Sequence, residues 1–236
     1  MPEQNSQVIV EHLLHDATRR LIRTTDALAD DAYETPSGLP GWTRGHVLAH
    51  LALNAEGLAG ALGGIVEGDR VPMYASQEAR DGDIAHLGGA SPSAIRDRLL
   101  GATTALADAL DAVPDDRWEA VIERVPGGRT FTAGDVPGMR LSEVEIHHAD
   151  LGAGYGRDDW PPSYVALLLD GEGRKRVATD VSFRAHATDL DRTWSFGDGG
   201  PTVSGTGADL GWWLTGRGTG QGLSSDSGAL PQIGTW

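Results

Sequence analysis

Apolar residues recur at helical spacing from about Ser6 to Ala29, through Val8, Val10, Leu13, Leu14, Ala17, Leu21, Ile22 and Leu28, with Arg, Asp and Thr between them. An amphipathic helix of that length must bury its stripe against other helices. The stretch "PSGLPGW" breaks the pattern, and "TRGHVLAHLALNAEGLAGALGGIVEGD" restarts it through Val47, Leu48, Leu51, Leu58, Leu62 and Ile65, with Thr43 as N-cap. A polar connection containing "YASQEARDGDI" leads to a third helix, "SPSAIRDRLLGATTALADALDAV", where Ser91 and Pro92 suit the N-cap and first turn. Short alternating runs on either side of Pro126, Gly127 and Gly128 read as a small hairpin. A fourth helix opens near Pro137, so residues 1–156 are expected to form a four-helix bundle.

Beyond "GAGYGRDDWPP" the character of the chain changes, and residues 157–236 are expected to form a small second domain. "YVALLLDGEGRKRV" reads as a short helix, and "DVSFRAHATDLDRTWSFGDGGPTVSGTG" alternates and turns like two or three strands. "ADLGWWLTGRG" is helical through Leu210, Trp213 and Leu214 before a glycine stop. The fold class is α+β, a helical bundle followed by a small C-terminal α/β-type domain.

Thirty-four acids against 19 Lys and Arg give a formal charge of -15, which repels nucleic-acid phosphates and anionic membranes. The first residues lack a charged n-region followed by an apolar stretch, and no run of about 18 apolar residues occurs, so a soluble cytoplasmic protein is expected. There is no cysteine, hence no thiolate metal site and no protein thiol nucleophile. Any sulfur nucleophile must come from a small molecule.

The fourth helix carries "LSEVEIHHADL", two glutamates, two histidines and an aspartate on a segment otherwise suited to burial. Glu143 and His147 are one turn apart and share a face; Glu145 and His148 point elsewhere. The second helix places His46 and His50 one turn apart among Val47, Leu48 and Leu51. Helical bundles build metal sites from inward His and Glu on different helices, and one of these histidines with Glu143 and His147 makes a His2Glu set with an open position, as in catalytic zinc. Spacing leaves both histidines open; His50, flanked by more apolar residues, is the preferred ligand. Asp150 stands where it can orient a ligand histidine or serve as an ordinary helix-end acid.

"GWTRGHVLAHLALNA", "YASQEARDGDI", "RLSEVEIHHADLGAGY" and "LTGR" resemble the mycothiol-dependent maleylpyruvate isomerases, and the similarity covers nearly the whole chain, including a DinB-like bundle. The resemblance implies that His50, Glu143 and His147 bind Zn2+, that Arg80 and Arg217 bind substrate or thiol carboxylates, and that mycothiol is the thiol cofactor. The small dicarboxylate maleylpyruvate is then the expected substrate, and three cationic groups in an acidic chain suit it. Converting a cis to a trans alkene requires the double bond to become temporarily single, which thiolate addition, rotation and elimination achieve. A mycothiol S-transferase would use the same activated thiol but keep the adduct. A metal-binding sensor or partner domain is the non-enzymatic alternative.

Overall fold

The first helix of the computed structural model, which describes residues 2–176 and 181–233, is α1, Pro2–Ala27. It turns a face with Ala17 and Leu21 fully into the core. Helix α2, Arg44–Glu67, starts at Thr43, whose hydroxyl accepts the His46 N–H, and ends at Gly68, whose φ of 86° is a left-handed cap that a side chain would strain. Val47, Leu48, Leu51, Leu58 and Leu62 of α2 have no exposed surface. Burial of each such leucine contributes about 1.5–3 kcal/mol, which identifies α2 as the central element of the bundle.

The polar connection expected after α2 is instead a helix, α3, Gln77–Gly88. Ser76 caps it by accepting the Ala79 N–H, and Ile84 alone is buried. One apolar anchor leaves almost no periodic signal, so capping and packing against α2 decide the conformation there. Helix α4, Pro92–Asp111, begins at the Ser91 cap with proline in its first turn. Strands β1, Val121–Glu123, and β2, Thr130–Thr132, form the expected antiparallel hairpin, with Ile122 opposite Phe131. Helix α5, Val136–Asp150, carries Pro137 in its first turn. Helices α1, α2, α4 and α5 pack in a ring, α1 against α5 and α4, and α2 against α4 and α5.

The chain divides into two compact units, Met1–Gly154 and Tyr155–Trp236. The second contains α6, Pro162–Arg176, and a sheet of β3, Phe183–Ala187, β4, Arg192–Phe196, β5, Thr202–Gly205, and the two-residue β6, Ser224–Ser225, in the order β4-β3-β5-β6. Only the β3–β5 pair is parallel. Helix α7, Gly207–Leu214, packs on β3 and β5, and α6 packs on α7 and β4. Alternate residues Phe183, Ala185 and Ala187 of β3 are fully buried, the period expected of a sheet covered on one face. Phe183 and its cross-strand partner Phe196 stack with ring centroids 4.5 Å apart. The architecture is α+β, as anticipated. Among the described residues no helix is long and apolar enough to cross a membrane.

Candidate metal centre

Packing of α5 against α2 brings His50 to the turn of α5 that carries Glu143 and His147. His50 Nε2 is 2.9 Å from Glu143 Oε2, and His147 Nε2 is 3.3 Å from the same oxygen. The two imidazoles meet edge to face, centroids 4.7 Å apart. One donor atom from each residue lies within 4.8 Å of the others, so the three form a cluster able to hold a metal ion. Both histidines are buried, at 4% and 5% exposure, whereas the Glu143 side chain keeps 20%, so the cluster opens on the glutamate side.

The other nitrogen of each histidine is also engaged. His147 Nδ1 is 2.8 Å from Asp150 Oδ2, a carboxylate that is itself 1% exposed. An acid there holds the proton on Nδ1 and fixes the ring with Nε2 facing Glu143. Arg80 Nη2 donates to His50 Nδ1 at 3.2 Å.

These contacts split the charges of the two rings. Burial drives the pKa of His50 down to about 4, because the hydrogen bond to Glu143 recovers only part of the desolvation cost. Burial also opposes charge on His147, but its hydrogen bonds to Asp150 and Glu143 outweigh that and raise its pKa. Glu143 is likewise opposed by burial, and the hydrogen bonds from His147 and His50 hold it well below the usual carboxylate range. The two rings of the metal-free cluster are therefore shifted in opposite directions on either side of one carboxylate.

The remaining titratable groups of "LSEVEIHHADL" leave this face. Glu145, fully buried, accepts from Arg20 Nη2 at 2.6 Å, and His148 Nε2 is 2.8 Å from Thr24 Oγ1, so both face α1. His46 stays at the start of α2, with Nδ1 2.7 Å from Thr43 Oγ1. Geometry thus joins His50, and not His46, to the α5 pair.

The model of the mycothiol maleylpyruvate isomerase N-terminal domain matches residues 14–152, a span that includes all three cluster residues. The chain belongs to this family. A crystal structure of the mycothiol-dependent maleylpyruvate isomerase superposes with a TM-score of 0.88 at 27% identity, covering 98% of this chain and 97% of that one. A histidine-to-alanine mutant of a mycothiol-dependent maleylpyruvate isomerase gives 0.87 over the same shares of the two chains, again at 27% identity. Comparison with curated protein sequences yields no match.

In this family member two imidazoles and one carboxylate suit zinc, whose borderline character accepts nitrogen and oxygen donors and whose catalytic sites leave a position open. Arg80 reaches the cluster from α3 and is held on its other side by Asp81, at 2.8 Å. Arg217 follows α7 in the second unit, where Nη1 donates to Thr215 O at 3.0 Å and the guanidinium lies 5.7 Å from the centre of the Trp212 ring. Three contacts of the centre escaped the sequence reading. Trp42 meets His50 edge-on at 5.7 Å, Arg140 Nη1 donates to Leu51 O and Asn54 Oδ1 at 2.8 and 2.7 Å, and Tyr74 lies under the Arg80 guanidinium at 5.7 Å. None carries a local signal: each depends on a partner on another element.

Proposed function

We propose that the protein is a cytoplasmic isomerase that converts maleylpyruvate to fumarylpyruvate with mycothiol, in the breakdown of gentisate-type aromatic compounds. The observation that carries the proposal is the His50, Glu143 and His147 cluster, placed inside the matched family domain. The absence of cysteine supports it, because the sulfur must then come from a small thiol. His50, Glu143 and His147 are the zinc ligands, and Asp150 orients His147. When bound, zinc and mycothiol supply a sulfur nucleophile at neutral pH whose reversible addition makes the alkene bond single long enough to rotate.

The protein's own groups hold the substrate and steady its charge. Were His50 to hold a metal through Nε2, its ring proton would sit on Nδ1, which would then no longer accept from Arg80. Arg80 then has an N–H free for a substrate carboxylate, or for the enolate charge that develops in a conjugated addition. Arg217 is assigned to a carboxylate of the substrate or of the thiol.

Metal content and maleylpyruvate isomerisation, measured with and without mycothiol for wild type and His50→Ala, test the reading. Wild type should require the thiol and leave it unconsumed, and the variant should lose both metal and activity. Thiol-independent turnover would sink the proposal, and a stoichiometric thiol adduct would reassign the protein as a mycothiol S-transferase. Arg217→Ala should raise the apparent KM about tenfold or more, in proportion to one lost charged hydrogen bond.

A further inference from the structure

The chain leading into α3 runs beside the hairpin. Met73 N–H donates to Glu123 O at 2.9 Å and Tyr74 N–H to Arg124 O at 3.0 Å, while Arg124 N–H donates across the hairpin to Arg129 O at 2.9 Å. Tyr74 and Arg124 are therefore registered by main-chain bonds, which survive side-chain substitution. The guanidinium of Arg124 lies 5.4 Å from the Tyr74 ring centre, and that of Arg80 lies 5.7 Å from the same centre. One aromatic ring thus carries two cations, and the second of them touches His50. The Tyr74 hydroxyl feels the centre as well: burial raises its pKa, Arg80 and Arg124 pull it down, and the Glu143 carboxylate pushes it up.

Partners separate the two arginines. Arg80 is paired with Asp81, whereas the side-chain partner of Arg124 is a neutral amide, Gln77 Oε1, at 2.6 Å. Gln77 in turn donates through Nε2 to the Asp81 oxygen that holds Arg80. Among the described residues no carboxylate lies within ion-pair distance of Arg124, in a chain with 34 acids and 19 bases. A guanidinium steadied by an amide keeps its whole charge and most of its N–H groups for an incoming anion.

We propose that Arg124 is a second carboxylate-binding residue of this site, taking one carboxylate of a dicarboxylate while Arg80 takes the other, with Tyr74 as the spacer between them. The substrate's identity rests on the isomerase reading; the preference for two carboxylates rests on the paired arginines. The two are tested separately by titrating the zinc-loaded protein calorimetrically with maleate, an unreactive dicarboxylate, and with isocrotonate, its monocarboxylate analogue. Arg124→Met should weaken maleate about tenfold, the loss expected of one charged hydrogen-bonded contact, and leave isocrotonate within about twofold. Arg124→Lys should recover part of the loss, zinc content should stay unchanged, and the KM for maleylpyruvate should rise with kcat nearly constant. The assignment is overturned if wild type fails to bind maleate, if Arg124→Met binds it as wild type does, or if both ligands weaken equally. Failure of wild type to isomerise maleylpyruvate would remove the substrate and leave the maleate comparison to decide Arg124.

Discussion

Buried Asp150 places Oδ2 2.8 Å from His147 Nδ1, the contact by which the proposed function has it orient that ring. Asp150→Ala should therefore lower zinc affinity about 10–100-fold without removing a ligand, as read by competition with a chromophoric chelator. His50 makes a different prediction, about pH. Its folded pKa of about 4 lies below the ordinary 6.5, so between those values the unfolded chain binds the proton first. Metal-free protein then loses stability as pH falls through that window, by roughly 3 kcal/mol from this residue alone. His147 is shifted upward and opposes it only at higher pH, where its charged form adds stability that is lost as pH rises through its folded value. Thermal melts of the metal-free protein from pH 6.5 to 4 should show Tm falling less steeply for His50→Asn than for wild type; equal slopes would contradict the shift. At this scale the sequence was readable where partners are local. Glu143 with His147 is an i,i+4 pair, and helical spacing is enough to put them on one face. Apolar flanks favoured His50 over His46, but both lie on α2 one turn apart, and only the packing of α5 brings one of them to Glu143 and His147.

Elements position these residues by close contacts that have no periodicity. Helix α2 meets α3 through two glycines: a Cβ on Gly45 would stand 2.7 Å from Gly88 O and 3.2 Å from Tyr33 O, both backbone atoms. Gly45→Ala must push α3 away, should cost about 1–3 kcal/mol in urea unfolding, and should also raise KM, because Arg80 rides on α3. Between α2 and α5 the spacing is held by Arg140, buried to 1% exposure and bonded to Leu51 O and Asn54 Oδ1. Burial lowers its pKa to about 10, so it remains charged at neutral pH. Asn54→Leu removes the side-chain acceptor of a buried cation and is expected to destabilise by about 2–4 kcal/mol, checked by the urea midpoint, with weaker zinc binding in parallel. The sequence revealed α1 and α2 through their apolar periods, and α4 and α5 through the start signals at Ser91 with Pro92 and near Pro137. It concealed α3, whose single buried residue, Ile84, cannot define a period.

At the scale of the whole molecule, the three donor residues, Asp150 and Arg80 all belong to the unit Met1–Gly154, and Arg217 belongs to the unit Tyr155–Trp236. A chain ending at Gly154 is accordingly expected to bind one zinc with near wild-type affinity, as measured by metal titration. Loss of metal binding in that fragment would argue against a centre built by the bundle alone. The sequence by itself determined the helices α1, α2, α4 and α5, the α+β class, the Glu143 and His147 pair and the lack of a protein thiol. Each follows from composition or from a repeat within one element, where geometry is set by bond angles and backbone hydrogen bonds. Only the tertiary structure decided that His50 completes the cluster, that Glu145 and His148 turn to α1, and that Arg124 shares the Tyr74 ring with Arg80. Those outcomes depend on which helix faces lie against each other, a result of burying the whole apolar surface at once rather than of any local spacing.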